Sequence, residues 1–316
     1  MAAVTKPLPP QVYDIEETTS VKNDPVEGTR LPSRGPSVLE LLRQVYDSDI
    51  LKPVMPYDPD ALLSARIRDA VSEGRADEIK RICSQFSIDT SSGDQEYDAK
   101  AEEIMWTAAL LLCATGRPGR QPRLDFFLMH LVTSSLFLPS YLRVLQDPLH
   151  KASILRAYLP GMILIILARG RPRIDPELLM SYTATPRPPT LTLPPLREGV
   201  IGDPRDDGDY NPWLTIVQSV FHATDSHVLK TIRTLVYAAQ KYGETQPGGA
   251  IGAFSTKDGK ETHKGMAKVD GSIFVRAAGL VMGNIEWNGH RQGQVREPDT
   301  WDRSALGWDD AWKDGK

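Results

Sequence analysis

The chain has 316 residues, a formal net charge of −4 and a hydrophobic content of 41%, values typical of a globular protein. It contains no basic block of the kind that neutralises phosphates, so we expect no nucleic-acid partner. Its only cysteines are Cys83 and Cys113, and its first twenty residues lack the apolar core of a secretory leader. Both features favour a cytoplasmic protein.

The segment before residue 37 is polar and rich in proline, and we expect residues 1–36 to run as an extended arm over a surface. Residues 37–316 are expected to form a single, mostly helical all-α domain, because neither a βαβ order of strands nor a fixed-period repeat occurs. Long proline- and glycine-rich loops should interrupt the helices, the longest of them at residues 185–210.

Capping residues and hydrophobic periodicity predict where the helices lie. Ser37 and Glu40 match a capping box, in which each side chain satisfies a free backbone N–H of the other residue. The predicted helical segments run from Ser37, within 60–86 as two helices broken near Gly74, and over 99–116, 150–169, 176–182, 212–223 and 226–243, the last three beginning at Asp175, Asn211 and Thr224 or Asp225.

Two segments are apolar enough to be expected in the interior. The run AYLPGMILIILA, residues 157–168, has roughly 12 residues where a membrane span needs about 20, so we expect a buried core helix and no membrane. The stretch 123–142 carries no charged residue between Asp125 and Arg143 apart from whatever His130 bears. It is expected to be buried on most sides.

The stretch HATDSHVLK, residues 222–230, holds two of the six histidines. His227 and Lys230 are three positions apart and therefore share a helical face. In one interpretation, His222 interacts with a helix dipole and Lys230 is an ordinary solvated residue. In the other, imidazole and lysine nitrogens converge on a metal or acid–base site, which needs a further ligand from elsewhere. The residues alone leave both interpretations open.

His130 is the candidate for that further ligand. It lies in DFFLMHLVTSSLF and shares a face with aromatic and hydroxyl side chains, so it could equally be a core histidine that a carbonyl or hydroxyl satisfies. The other histidines, His150, His263 and His290, stand in polar, loop-like surroundings and are expected at the surface. No phosphate loop, dinucleotide fingerprint, zinc-protease motif or nucleophile elbow occurs in the sequence.

Several segments, taken together and in order, resemble the fungal questin oxidase-like family, whose members include Baeyer–Villiger-type oxidoreductases of aflatoxin and anthraquinone pathways. The resemblance covers nearly the whole chain and rests on SVLELLRQVYDSDILKPVMPYDPD, TAALLLCATGRPGRQPRLDFFLMHLVTSSLFLPSYL, ARGRPRIDPELLMSYT, NPWLTIVQSVFHATDSHVLKTIRTLVYAAQKYG, KVDGSIFVRAAGLVMG and SALGWDDAW.

The resemblance implies oxygen-dependent oxidation of polycyclic aromatic ketones, by Baeyer–Villiger-type or ring-cleavage chemistry, with NADPH as a co-substrate of some members. It also implies a mononuclear non-haem Fe(II) site. The matching positions for ligands are His130, His222, His227 and Lys230, with Lys230 as a carboxylated, catalytic ligand or as a group behind the ligands. The implied substrate is a flat aromatic polyketide held in a pocket that contains Phe126, Phe127 and Trp213.

The chain also departs from the family pattern. Two upstream histidine-rich motifs of the family, one like HNHxxHH and one like HPLIHxGYG, are absent from this sequence. Their absence is expected to leave the metal site short of ligands and to expose an apolar face that favours self-association or a partner chain. An alternative interpretation is therefore a catalytically inactive helical relative that binds a ligand or a partner.

Overall fold

The computed structural model describes residues 12, 15–16, 18, 20–24, 27–188, 199, 203, 205–285, 287 and 301–313. Within these ranges eleven α-helices carry the fold, and β-structure is limited to isolated bridges. The all-α prediction is therefore confirmed. The helices are α1 Val38–Asp47, α2 Leu63–Ala70, α3 Arg75–Cys83, α4 Asp94–Cys113, α5 Phe126–Ser135, α6 Leu138–Val144, α7 Pro148–Ala168, α8 Pro176–Ser181, α9 Pro212–Val220, α10 Ser226–Tyr242 and α11 Ile273–Ile285.

The predicted caps begin the helices that they were assigned to. Ser37 and Glu40 form both hydrogen bonds of a capping box at α1. The side chains of Asp175, Asn211 and Asp225 accept backbone hydrogen bonds at the starts of α8, α9 and α10. Each cap satisfies a backbone N–H group that has no partner inside its helix, so the sequence determines these boundaries locally.

Most residues of the stretch 123–142 are buried or half-buried, as predicted, but one face is exposed. The stretch forms two helices, α5 and α6, and its exposed face includes His130, Ser134, Phe137 and Tyr141. The opposite face, with residues such as Leu128, packs into the core. The segment lacks charge because its exposed face borders an apolar cavity, described below.

The predicted core helix at 157–168 is confirmed, within a helix whose bounds are close to the predicted 150–169. It is the second half of α7, a 21-residue helix that begins after the capping side chain of Asp147. By length and composition α7 could cross a membrane, and 56% of its most apolar window is buried inside the protein. Leu155, Leu159 and Ile163 are among its buried side chains. This helix forms one wall of the cavity.

Two non-helical segments pack across the helices. In the arm before α1, Lys22 and Arg34 form an antiparallel bridge, and the backbone N–H of Thr18 donates to the carbonyl of Ser84. At the other end of the chain, residues 301–313 form a segment that we call the C-terminal strap. The backbone of its Asp302 forms a parallel β-bridge with the backbone around Asp125, immediately before α5. The strap therefore fixes the start of a helix that lines the cavity.

Surface exposure was predicted correctly for one of three histidines and wrongly for another. His150 is exposed, although it lies in the first turn of α7 and not in a loop. His263 is buried, because its ring packs edge-on against Tyr46 at a centre-to-centre distance of 5.8 Å. His290 lies outside the described residues, as does most of the predicted loop 185–210. The described residues of that loop form no helix or strand.

Candidate active site

A cavity of about 690 Å³ opens between α5, α7 and α10. This volume lies in the range of small-molecule sites. Its wall is mostly apolar and contains a few polar groups from α5 and α10. The lining residues are Phe127, His130, Leu131, Thr133, Ser134, Leu136, Phe137, Ala157, Tyr158, Gly161, Met162, Ile165, His227, Lys230 and Arg233. An apolar wall with few polar groups suits a mainly hydrophobic ligand.

His130 projects from α5 with one ring nitrogen engaged. Its Nδ1 lies 2.8 Å from the carbonyl oxygen of Phe126, one helical turn earlier. A carbonyl can only accept, so Nδ1 carries the hydrogen and Nε2 carries a free lone pair. Although the residue is exposed at the cavity wall, the protein around it desolvates the ring and lowers its pKa. The ring is therefore uncharged at neutral pH, and the lone pair of Nε2 can bind a metal ion.

His227 lies in the first turn of α10 and is oriented by the residue that caps this helix. Oδ1 of Asp225 accepts hydrogen bonds from both the backbone N–H and Nδ1 of His227, each within 2.8 Å. Nε1 of Trp301, in the C-terminal strap, donates to the other carboxylate oxygen at 2.8 Å. Partial burial raises the pKa of Asp225, but the hydrogen bonds from His227 outweigh it and hold that pKa below its usual range.

The two imidazoles stand side by side. Their ring centres are 5.3 Å apart, and the ring of Phe126 contacts both of them at 4.6 and 5.1 Å. The guanidinium of Arg303, in the strap, lies 3.8 Å above the centre of the Phe126 ring. Each imidazole thus has its Nδ1–H bound to an oxygen and its Nε2 lone pair free, which is the usual state of a metal-binding histidine.

The spacing of the rings is consistent with a shared ion. A metal–nitrogen bond of about 2.1 Å puts the ring centre roughly 3.2 Å from the ion, so two bound rings lie about 4.5–5.3 Å apart. However, only two imidazoles of the described cavity wall are available as metal ligands. Among the described residues, no group of three or more histidine, cysteine, aspartate or glutamate side chains is placed to hold a metal. A third donor would have to be of another kind.

The helix that carries His227 also contributes two cations to the cavity wall. Lys230 and Arg233 follow His227 at intervals of three residues, so the three side chains lie along one face of α10. Both cations are exposed. Lys230 was predicted as a site residue, whereas Arg233 was missed. The same three-residue spacing would have pointed to it.

The structure brings some of the predicted site residues together and separates others. His130, His227, Lys230 and Phe127 line one cavity, and Phe126 packs behind the two histidines. His222 is exposed just beyond the end of α9 and is not part of the cavity wall. Trp213 packs against the hydrophobic core from α9, also outside that wall.

Comparisons with known proteins identify the family of the chain. The profile of the questin oxidase-like family matches residues 1–235. A questin oxidase from Aspergillus fumigatus is 33% identical over 111 residues, which are 35% of this chain and 23% of that protein. A Baeyer–Villiger monooxygenase from Aspergillus aculeatus is 29% identical over 184 residues, 55% of this chain and 34% of that protein.

A second questin oxidase, from Aspergillus terreus, is 25% identical over 210 residues, which are 66% of this chain and 41% of that protein. The matched segments therefore span less than half the length of these relatives. The family match covers well over half of this chain and contains the whole of α5 together with His227, Lys230 and Arg233. The chain belongs to the questin oxidase-like family.

Proposed function

We propose that the protein is an oxidoreductase that uses dioxygen to oxidise a polycyclic aromatic ketone, by Baeyer–Villiger-type oxidation or ring cleavage, in fungal secondary metabolism. The observation that carries the proposal is the pair of oriented imidazoles, His130 and His227, at the wall of an apolar cavity of about 690 Å³. The names of the relatives, questin oxidase and Baeyer–Villiger monooxygenase, support the reaction class.

An Fe(II) ion fits the two imidazoles, which offer Nε2 atoms as donors and are held in place by Phe126 and Asp225. Bound iron would supply the redox chemistry by which dioxygen reacts. Lys230 would be the third donor, as a carbamate formed from its neutral amine and carbon dioxide. Because Lys230 is exposed in this chain, that modification requires a covering group to desolvate the amine. NADPH is proposed as the co-substrate that supplies reducing equivalents.

The remaining cavity residues act on the substrate. Leu131, Met162 and Ile165, from α5 and α7, provide apolar surface for a flat polycyclic ring. The hydroxyl groups of Ser134 and Tyr158 are 2.8 Å apart. Ser134 also donates to the carbonyl of His130 and Tyr158 to that of Leu131, so the pair offers the substrate lone pairs that can accept from a hydroxyl group.

The experiment is substitution of the paired histidines, with His150→Ala as the control. His150 is exposed on α7, outside the cavity wall. We expect His130→Ala and His227→Ala to lose bound iron and oxygen consumption with anthraquinone substrates, and His150→Ala to keep both. Full iron content and full activity in soluble, folded samples of both cavity variants would overturn the assignment.

A second candidate function is a catalytically inactive relative that binds a ligand in the same cavity. It is favoured by the two-histidine donor set, since no larger group of histidine and acidic side chains is placed to hold a metal within the described residues. Such a protein would purify without stoichiometric metal and would bind an anthraquinone without consuming oxygen. Measurement of metal content and oxygen uptake on the same sample separates the two functions.

A further inference from the structure

The cavity has an uncompensated positive charge. Among the described wall residues, Lys230 and Arg233 are the only lysine and arginine, and none is an aspartate or glutamate. Neither side chain forms an ion pair with any part of the chain that the structure describes. The Nδ1 atoms of His130 and His227 are hydrogen-bonded to the carbonyl oxygen of Phe126 and to the carboxylate of Asp225.

Arg233 differs in its surroundings from Arg169, Arg123 and Arg68. Near the site, Arg169 pairs with Asp125 and Arg123 pairs with Asp302, so their charges are compensated. Arg68 is exposed on α2 and forms no ion pair with the described residues, but it lies outside this cavity. Arg233 instead stands at the edge of an apolar wall, where a bound ligand would displace water from one side of the guanidinium.

We propose that Arg233 is a specificity residue that binds an ionised oxygen group, a carboxylate or phenolate, on a flat aromatic substrate. The assignment rests on the proposed function of the cavity and narrows its substrate class to anionic aromatics. A guanidinium presents a planar fork of donors that matches a carboxylate and also accepts a single phenolate oxygen. The apolar wall between α5 and α7 holds the ring system, and the cation at the edge fixes its orientation.

Arg233 can bind the ionised oxygen whether or not Lys230 is carboxylated. If Lys230 is carboxylated and binds iron, its positive charge is removed, and Arg233 is the remaining cation among the described wall residues. If Lys230 is unmodified, its ammonium adds to the positive potential but provides a point charge and no planar fork. The orienting contact is therefore expected to depend on Arg233 in both cases.

The test compares two probes of nearly equal shape, anthraquinone-2-carboxylate and anthraquinone-2-carboxamide, by calorimetric titration of the full chain at pH 7.5. We expect the wild-type protein to bind the carboxylate about tenfold more tightly than the carboxamide, as for one charge-assisted contact at a partly solvated site. Arg233→Gln should lose this preference while keeping its affinity for the carboxamide. Arg233→Lys should keep part of the preference.

The matched control is Arg68→Gln, which removes the same charge from an exposed site outside the cavity and should leave the preference unchanged. Equal binding of the two probes by the wild-type protein would overturn the proposal, as would a preference that survives in Arg233→Gln. A preference lost only in Lys230→Gln would assign the contact to the lysine. Displacement of the carboxylate probe by an equal concentration of NADPH would assign Arg233 to a co-substrate phosphate.

These outcomes are independent of the proposed oxidation. Probe binding is measured without iron or dioxygen, whereas the proposed activity is judged from metal content and oxygen uptake. A protein that consumes oxygen but binds both probes equally would keep its function and lose the charge assignment. A protein that prefers the carboxylate but contains no metal would keep the charge assignment and match the inactive binding relative.

Discussion

At the scale of single residues, Asp225 connects the end of the chain to the candidate site. It caps α10, accepts the ring N–H of His227 and accepts a third hydrogen bond from Trp301. The capping role could be predicted, because it depends on neighbours in the sequence. The contact with Trp301 could not, since 76 positions separate the two residues and only the folded chain brings them together.

We expect Trp301→Phe to weaken metal binding while leaving the protein folded. The substitution keeps an aromatic ring in a buried position but removes the N–H that holds one oxygen of Asp225, so the carboxylate and the imidazole of His227 are less well oriented. Loss of such a contact typically lowers metal affinity by about 10–100-fold. Anaerobic calorimetric titration with Fe(II) measures the change.

Trp312→Phe is the matched control for this prediction. Trp312 lies in the same strap and is equally buried, but its N–H donates to the carbonyl of Leu306 and not to the site. It should lower stability without a specific effect on metal affinity. Equal metal affinities in the two variants would contradict the role of Trp301 in orienting the site.

His263 should make stability depend on pH in the mildly acidic range. Burial and the nearby charge of Arg43 lower the pKa of this imidazole from 6.5 to about 4. The unfolded chain therefore takes up a proton between pH 6.5 and 4 that the folded chain does not, so stability falls as the pH falls through 6.5. Between pH 7 and 5.5 the loss from this residue is about 1 kcal/mol.

The variant that tests this dependence is His263→Leu. Neither ring nitrogen of His263 has a hydrogen-bond partner among the described residues, so an apolar replacement breaks no such bond. Urea unfolding at pH 7 and 5.5 should show a smaller decrease in stability for the variant than for the wild-type protein. His150→Leu, at an exposed histidine, should leave the wild-type decrease unchanged. Identical decreases in His263→Leu and the wild-type protein would refute the prediction.

At the scale of elements, helix starts could be predicted where a local signal exists, and the packing of segments could not. Ser37, Asp175 and Asn211 each cap a helix through residues two or three positions away. By contrast, the separation of α5 from α6 and the exposure of one face of 123–142 depend on where α7 and α10 pack. The absence of charged residues does not tell whether a segment lines a cavity or fills the core.

The docking of the C-terminal strap predicts a strong effect of Gly170→Ala. Gly170 follows α7 with a positive φ of 81°, and an added Cβ would collide with the ring of Trp308. Overpacking and left-handed strain together should cost about 2–5 kcal/mol. Thermal unfolding measures the loss, and limited proteolysis within 301–313 should become faster as the strap is displaced.

Gly119→Ala is the matched control for the strap. Gly119 has a similar positive φ of 73°, but an added Cβ there would have no neighbouring atom within 4 Å. It should therefore show only the backbone strain of about 1–2 kcal/mol, with no faster cleavage of the strap. If Gly170→Ala were no more destabilising than Gly119→Ala, the strap would not be held by this contact.

At the scale of the whole molecule, the candidate site could be predicted only in part. His227 and Lys230 were visible as neighbours on one helix. His130 was a candidate from its position in a helical segment, and the family resemblance supported it. The strap residues Trp301 and Arg303 were not visible, because their roles depend on the strap reaching Asp225 and Phe126 in the folded chain. Arg233 was missed although its three-residue spacing from Lys230 places it on the same face of α10. A sequence shows the members of a site that are close in the chain more readily than those that support it from a distant segment.

Apolar side chains at one edge of the molecule predict self-association. Large hydrophobic residues from Phe137 to the start of α7 are exposed, among them Phe137, Tyr141, Val144 and Leu149, with exposed fractions of 49–75%, and Phe137 also lines the cavity. Their number within a short stretch of chain exceeds the isolated exposed leucines found on ordinary surfaces. A second copy of the chain can cover them, because the formal charge of −4 on 316 residues produces only weak repulsion between copies.

We expect sedimentation velocity to show mass increasing with protein concentration over the micromolar range. The double variant Phe137→Ser and Val144→Ser should reduce this increase, because it removes apolar area from the contact. Leu62→Ser is the control, since Leu62 is 73% exposed at the start of α2, away from the cavity. A chain that stays monomeric at all concentrations would show that water alone covers this edge, and the cavity mouth would then be open to substrate without competition from a neighbouring copy.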